Sequence, residues 1–224
     1  MARTDSPRNV PPNDLADMIN VAEVCQATRA LGPGLRAVVW VQGCPFRCRE
    51  CVSPEWLEYR PATMFHPGEL ARRLLSQPDV TGFTFSGGEP MTQAKGLAAT
   101  IRTARQQRDL SLICFSGYTL AELHGERRPD GAEELLSEVD VLIDGRYRPA
   151  LNDGRGLRGS ANQRVHHLTR RLRDSDYDFE GRPREAEIQL SDSVLRLVGV
   201  PPLGLLPALD HVWPARVAPN EGDR

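Results

Sequence analysis

Lysine is almost missing from this 224-residue chain: Lys95 is the only one among 28 lysine and arginine residues. Arginine, alanine, glycine and proline are abundant instead, a bias we read as genome composition. Positive charge does not outweigh negative. The formal net charge is −2, which gives no global case for nucleic-acid binding. No apolar run approaches the ~18 residues of a membrane span, so no membrane partner is expected. The opening stretch MARTDSPRNVPPND has no apolar h-region, and the expected compartment is the cytoplasm. Hydrophobic residues at 40% and charged residues at 26% are ordinary globular usage, which argues against wholesale disorder, collagen and coiled coil. The five cysteines are an odd count in a chain without a secretory signal, so they do not read as a disulfide framework. There is no internal repeat.

What is there is an alternation of strands and helices. Residues 1–18 are polar and proline-rich and read as a loose arm, and 214–224 as a flexible tail. A β-rich stretch runs from Ile19 to Cys25. The turn Gly32-Pro33-Gly34 precedes Ala37–Val41, a continuous apolar run that suits a strand buried on both faces. A helix is expected from Pro67, bracketed by Pro78. Strands follow over Val80–Phe85, Leu110–Phe115 and Val139–Ile143, with helical patterns over 91–108, 120–124 and 132–137. This order predicts an α/β fold: a single domain over 19–213, a partial (β/α) barrel with parallel strands and a core at 36–145. Residues 146–213 form an arginine-rich extension, with short strands at 187–190 and 194–198 that read as a hairpin around Ser191-Asp192. In such folds ligands sit at the C-terminal ends of the strands. The loops after Val41, Phe85, Phe115 and Ile143 would then share one rim.

The most informative feature is Cys44-x3-Cys48-x2-Cys51, three cysteines within eight residues after a buried strand. Thiolates are soft ligands for zinc, copper(I) and iron–sulfur clusters. A structural zinc site wants four closed ligands, and His66, Cys25 and Cys114 are the available fourth donors, none at pair-like spacing. A [4Fe–4S] cube held by three thiolates keeps one iron open to a substrate.

CxxxCxxC after one strand, with Gly87-Gly88-Glu89-Pro90 after the next, resembles the radical S-adenosylmethionine (SAM) superfamily. Within it the chain looks most like the small activating enzymes of anaerobic ribonucleotide reductase. The segments Gly32–Arg36, Trp40–Cys48, Phe85–Pro90 and Leu157–Arg164 carry that likeness, over roughly residues 19–200. The resemblance implies that Cys44, Cys48 and Cys51 ligate the cluster and that its open iron binds SAM. Reductive cleavage of SAM then gives a 5′-deoxyadenosyl radical. That radical takes a hydrogen from a glycine of a partner glycyl-radical enzyme. A low-potential donor such as flavodoxin or ferredoxin is implied too. Gly87, Gly88 and Glu89 are expected at the SAM amino group. Glu50 stands where many superfamily members carry an aromatic residue beside the adenine.

Other motifs each have a plainer reading. Ser116 is a candidate for the SAM pocket, while Thr119 and Glu122 have the spacing of a capping box. Asp144 either faces the site or caps a turn. Arg158, Asn162 and Arg164 either edge the site and dock the partner or form a solvated face. His166-His167 reads as structural, since adjacent side chains point apart. Two other functions remain open from sequence: radical SAM chemistry on a small molecule or peptide, and a non-catalytic zinc- or iron-binding module.

Overall fold

In the computed structural model, residues 17–190 and 195–212 are described. The expected arm (but for Asp17 and Met18), the tail and the Ser191-Asp192 turn therefore lie outside the described residues. Seven strands form one open sheet in the order β3-β1-β2-β4-β5-β6-β7. They are β1 (Ile19–Thr28), β2 (Arg36–Val41), β3 (Thr63–Phe65), β4 (Gly82–Gly87), β5 (Ser111–Ser116), β6 (Val141–Asp144) and β7 (Arg164–His167). The pairs β2–β4, β4–β5 and β5–β6 are parallel, as the alternating pattern predicts. Both flanks are antiparallel: β1 pairs with β2 and β3, and β7 with β6. The parallel part is thus four strands of an open sheet.

The apolar run in β2 is explained by two cores. Ala37, Val39 and Val41 face helices, with Phe83, Phe85, Leu112, Cys114 and Leu142 from neighbouring strands. Val38 and Trp40 point to the opposite face, with Ile113, Val141 and Ile143. The period-2 geometry of a strand sends alternate residues to each side. Helices α1 (Pro67–Leu74), α2 (Ala94–Arg105) and α4 (Ala132–Leu136) cover the first face. Helix α1 buries Pro67, Leu70, Ala71 and Leu74, the i, i+3, i+4, i+7 stripe of an amphipathic helix. Each fully buried Leu or Phe on this face is worth about 1.5–3 kcal/mol.

The second face is covered by the C-terminal extension. Leu157, Phe179 and Val198 complete its core. Val198 belongs to β9 (Leu195–Gly199), which pairs antiparallel with β8 (Ala186–Leu190). The short helix α3 (Leu120–His124) follows β5, and α5 (Leu205–Val212) follows the hairpin. No helix among the described residues is long and apolar enough to cross a membrane.

Candidate functional site

The sheet register sets the site. Val41 sits opposite Gly87 in the β2–β4 pair, and Ser116 opposite Asp144 in the β5–β6 pair. The loops that follow leave from the C-terminal ends of these parallel strands. There they border one cavity of about 940 Å³, walled by the cysteine loop, the 86–89 loop, Ser116-Gly117 and residues of the C-terminal extension.

The cysteine loop is tied at its base. Gly43 N donates to Trp56 O (2.8 Å) and Cys44 N to Leu57 O (3.0 Å). Gln42 Nε2 adds a bond to Glu58 O (2.7 Å). Between these ties the chain coils back through two left-handed residues, Arg47 and Glu50. Cys44, Cys48 and Cys51 all line the cavity and are free thiols. Among the described residues no three His, Cys, Asp or Glu side chains are drawn into a metal-binding group. The thiols share a wall without being pulled together. As a donor set they fit an iron–sulfur cluster: three soft sulfurs of one loop, beside a cavity with room for further ligands. Burial pushes the Cys44 and Cys51 thiols above the ordinary value, so coordination there displaces protons.

Gly87 and Gly88 press against the base of this loop. Gly88 N donates to Val41 O (2.7 Å) and Glu89 N to Gly43 O (2.8 Å). A Cβ on Gly88 would lie 2.2 Å from Gly43 O, and Gly87 has φ +102°. Only glycine fits this close approach of two backbones. Glu89 is turned inward, 1% exposed. Its Oε1 accepts from Met91 N and Ser116 Oγ (both 2.9 Å), and its Oε2 from Gly117 N (2.7 Å). It thereby joins the loop after β4 to the loop after β5. Burial pushes its carboxyl up to about 7, against the downward pull of those three donors.

Ser116 lines the cavity, and its hydroxyl also accepts from Tyr118 N (3.1 Å). Thr119 and Glu122 form the capping box read from their spacing, at the start of α3. Asp144 and Arg158 are turned to other partners. Asp144 Oδ2 accepts from Leu120 N (2.5 Å), holding the first turn of α3. His166 Nε2 lies 3.0 Å from the same oxygen but off the line of a hydrogen bond. Arg158 pairs with Asp153 (3.0 Å) and Glu180 (3.5 Å) within the extension. Asn162 Nδ2 donates to Arg146 O, and Arg164 is exposed on β7. Glu50 does line the cavity, ion-paired with Arg49 at 3.4 Å.

Two cavity residues escaped the sequence reading. Gln163 gathers its own segment, accepting from Gly159 N (2.8 Å) and Ser160 N (3.1 Å) and donating to Gly145 O (2.7 Å). Its place inside Leu157–Arg164 was the available signal. Arg184 is buried in the wall and donates to Asn152 Oδ1 (2.8 Å) and to the carbonyls of Arg158 (2.7 Å) and Gly159 (3.0 Å). It lies in an arginine-rich stretch without periodicity, so nothing marked it. Aromatic rings are also present: Trp40 and Trp56 pack at 5.6 Å, and Phe46 meets Tyr118 edge-on at 4.6 Å.

Comparison with known proteins agrees with this geometry. Residues 30–166 match the model of a family described as a 4Fe-4S single cluster domain. The chain is 30% identical over 148 residues to an anaerobic ribonucleoside-triphosphate reductase-activating protein of Vibrio cholerae, covering 62% of this chain and 91% of that one. It is 30% identical over 142 residues to the protein of the same description from Enterobacteria phage T4, covering 60% and 85%. A pyruvate formate-lyase-activating enzyme of Clostridium pasteurianum is 29% identical over 117 residues, covering 50% of this chain and 45% of that one. The cavity wall formed by Arg184 and by residues 195–207 lies beyond the family match.

Proposed function

Since the chain belongs to the 4Fe-4S single-cluster family and, within it, to the anaerobic ribonucleoside-triphosphate reductase-activating proteins, we propose that it is a radical SAM enzyme that installs a glycyl radical on such a reductase. The observation that carries this is the set of three free thiols, Cys44, Cys48 and Cys51, on one loop bordering a cavity beside the backbone of Gly87 and Gly88. When bound, a [4Fe–4S] cluster with one iron free of protein ligand supplies the electron that splits a C–S bond of SAM, giving methionine and a 5′-deoxyadenosyl radical that takes a hydrogen atom from a glycine Cα.

The chain's residues hold and orient. Cys44, Cys48 and Cys51 give up their thiol protons on coordination. Gly87 and Gly88 let an amino-acid headgroup come up against main chain beside the cysteine loop. Glu89 acts by positioning, because both of its oxygens are already engaged within the protein. Ser116 borders the wall with its hydroxyl engaged by Glu89 and Tyr118, so it too acts by positioning, and Asp144 acts through α3, whose first turn it caps. Arg158 braces the extension rather than the cofactor. Residues 19–213 work as one domain in this reading. The reductant is a low-potential protein such as flavodoxin or ferredoxin.

The test is anaerobic reconstitution with iron and sulfide, then dithionite and SAM with the organism's own anaerobic reductase present. 5′-Deoxyadenosine and a glycyl-radical signal on the reductase are expected. Cys48→Ala should lose the cluster absorbance and all but ~1% of the product, as loss of a ligand requires. A fully loaded protein that makes neither product with its reductase sinks the reading. So does stoichiometric zinc with no visible absorption.

A further inference from the structure

The substrate in the reading above is a glycine within a protein, and glycine has no side chain to grip. Recognition of that residue must run through main chain. A free sheet edge is the structure that presents main-chain donors and acceptors in a row.

A hairpin with one strand edge left unpaired among the described residues contributes to the cavity wall. Strand β9 pairs with β8 through five successive residues, from Ala186↔Gly199 to Leu190↔Leu195. Among the described residues no strand pairs with its other edge. Leu195, Leu197 and Gly199 line the same cavity as Cys44, Cys48 and Cys51. Val198 points the other way and is fully buried in the second core. The hairpin is also fastened to β1: Arg196 pairs with Glu23 at 2.8 Å, and Thr28 Oγ1 donates to Glu187 at 2.7 Å. It is a fixed platform beside the cysteine loop.

The mouth next to it is apolar. Val52, Leu203 and Leu206 line the cavity and are 58%, 63% and 40% exposed. Exposed apolar side chains clustered at a cavity mouth mark a contact surface. All but Val52 of this wall lies beyond the stretch matched to the family model, 30–166.

From these observations we infer that β9 is the docking strand for the reductase: an extended, glycine-bearing segment with apolar flanking residues pairs along its free edge and meets Val52, Leu203 and Leu206 at the mouth. This rests on the proposed activity, and the test separates the two.

Hydrogen exchange is measured by mass spectrometry on the cluster-loaded protein with SAM, alone and with the organism's anaerobic reductase. The amides of 195–199 that do not bond to β8 should exchange at least ~10-fold more slowly in the complex. If they are already fully protected in the free protein, another segment of this chain or a second copy holds the edge, and the inference fails. If the glycyl radical forms while exchange at β9 is unchanged, the inference fails and the activity stands. If neither complex nor radical forms, both fall. Successive amides of a strand point to opposite edges, so, with Arg196→Ala as the control for the lost Glu23 pair, one of Arg196→Pro and Leu197→Pro removes an outward donor while leaving the bonds to β8 in place. That variant should keep the cluster absorbance and bind the reductase at least ~10-fold more weakly. Unchanged affinity in both variants would overturn the docking role.

Discussion

At the start of β2, Arg36 is buried completely and every donor it has is engaged. Its guanidinium reaches Thr84 Oγ1 (2.7 Å), Ser111 Oγ (2.9 Å) and the carbonyls of Pro33 and Phe83. At the end of the same strand the chain runs into a loop of free thiols facing a cavity. The two ends are built on opposite terms. At the lower end burial pushes Arg36 down to about 9, with Asp140 opposing the shift. Asp140 is itself saturated by Arg105 Nη2 (2.9 Å), Leu112 N (2.8 Å) and Thr169 Oγ1 (2.5 Å). Nothing there is left to bind a ligand. At the upper end the three thiols, glycine backbone and the hydroxyl-bearing Ser53, Ser86 and Tyr147 border the cavity. Polar groups at the lower end therefore serve stability, while the upper end mixes groups spent inside the protein, such as Glu89 and Asp144, with groups that border the cavity.

Four substitutions sharpen or break that division. Arg36→Met should have the largest effect, destabilising the protein by about 3–5 kcal/mol, because it takes a buried donor from the Phe83 and Ser111 carbonyls in the core. Urea unfolding reads this. SAM cleavage per loaded, folded molecule should stay within about twofold of the parent. A specific loss of cleavage would break the division. Gly88→Ala should do the reverse. Its Cβ meets Gly43 O at 2.2 Å and displaces the cysteine loop, costing about 100-fold in 5′-deoxyadenosine formation.

Glu89→Gln tests a residue at the upper end that is structural. Its carboxyl in the folded protein sits near 7 against an ordinary 4.5, a raised value. The unfolded chain therefore ionises first, and stability is lost as pH rises from 4.5 through about 7. The apoprotein should lose on the order of 2 kcal/mol across that window relative to Glu89→Gln. Parallel pH curves for the two proteins would show that this carboxyl is not held neutral by burial. Thr119→Ala removes one half of the capping box and should cost only about 1 kcal/mol, seen as a small shift in the urea midpoint with SAM cleavage unchanged.

The parallel strands were legible because β2, β5 and β6 carry continuous apolar runs, a mark of two-sided burial, and β4 sets Phe83 and Phe85 around Thr84 before its glycine turn. Edge strands β3 and β7 were not. They are three and four residues long and carry Thr63 and Arg164, so only their distant partners Val21 and Asp144 make them strands. Helix α5 was hidden by Pro207 within it. At the site the cysteine loop and the glycine pair were readable from spacing. Asp144 was placed at the right level of the sheet, but which neighbour it meets depends on how α3 docks. Arg184 was out of reach for the same reason: its partners Asn152, Arg158 and Gly159 stand 25 or more residues away.

The ties at the neck of the cysteine loop have one more consequence. Gly43–Trp56 and Cys44–Leu57 are main-chain bonds, made by atoms that take no part in holding metal. The ring they close persists whether or not its sulfurs are coordinated. The opening of the loop is therefore framed by main chain, and replacing a cysteine side chain leaves that frame's own bonds in place.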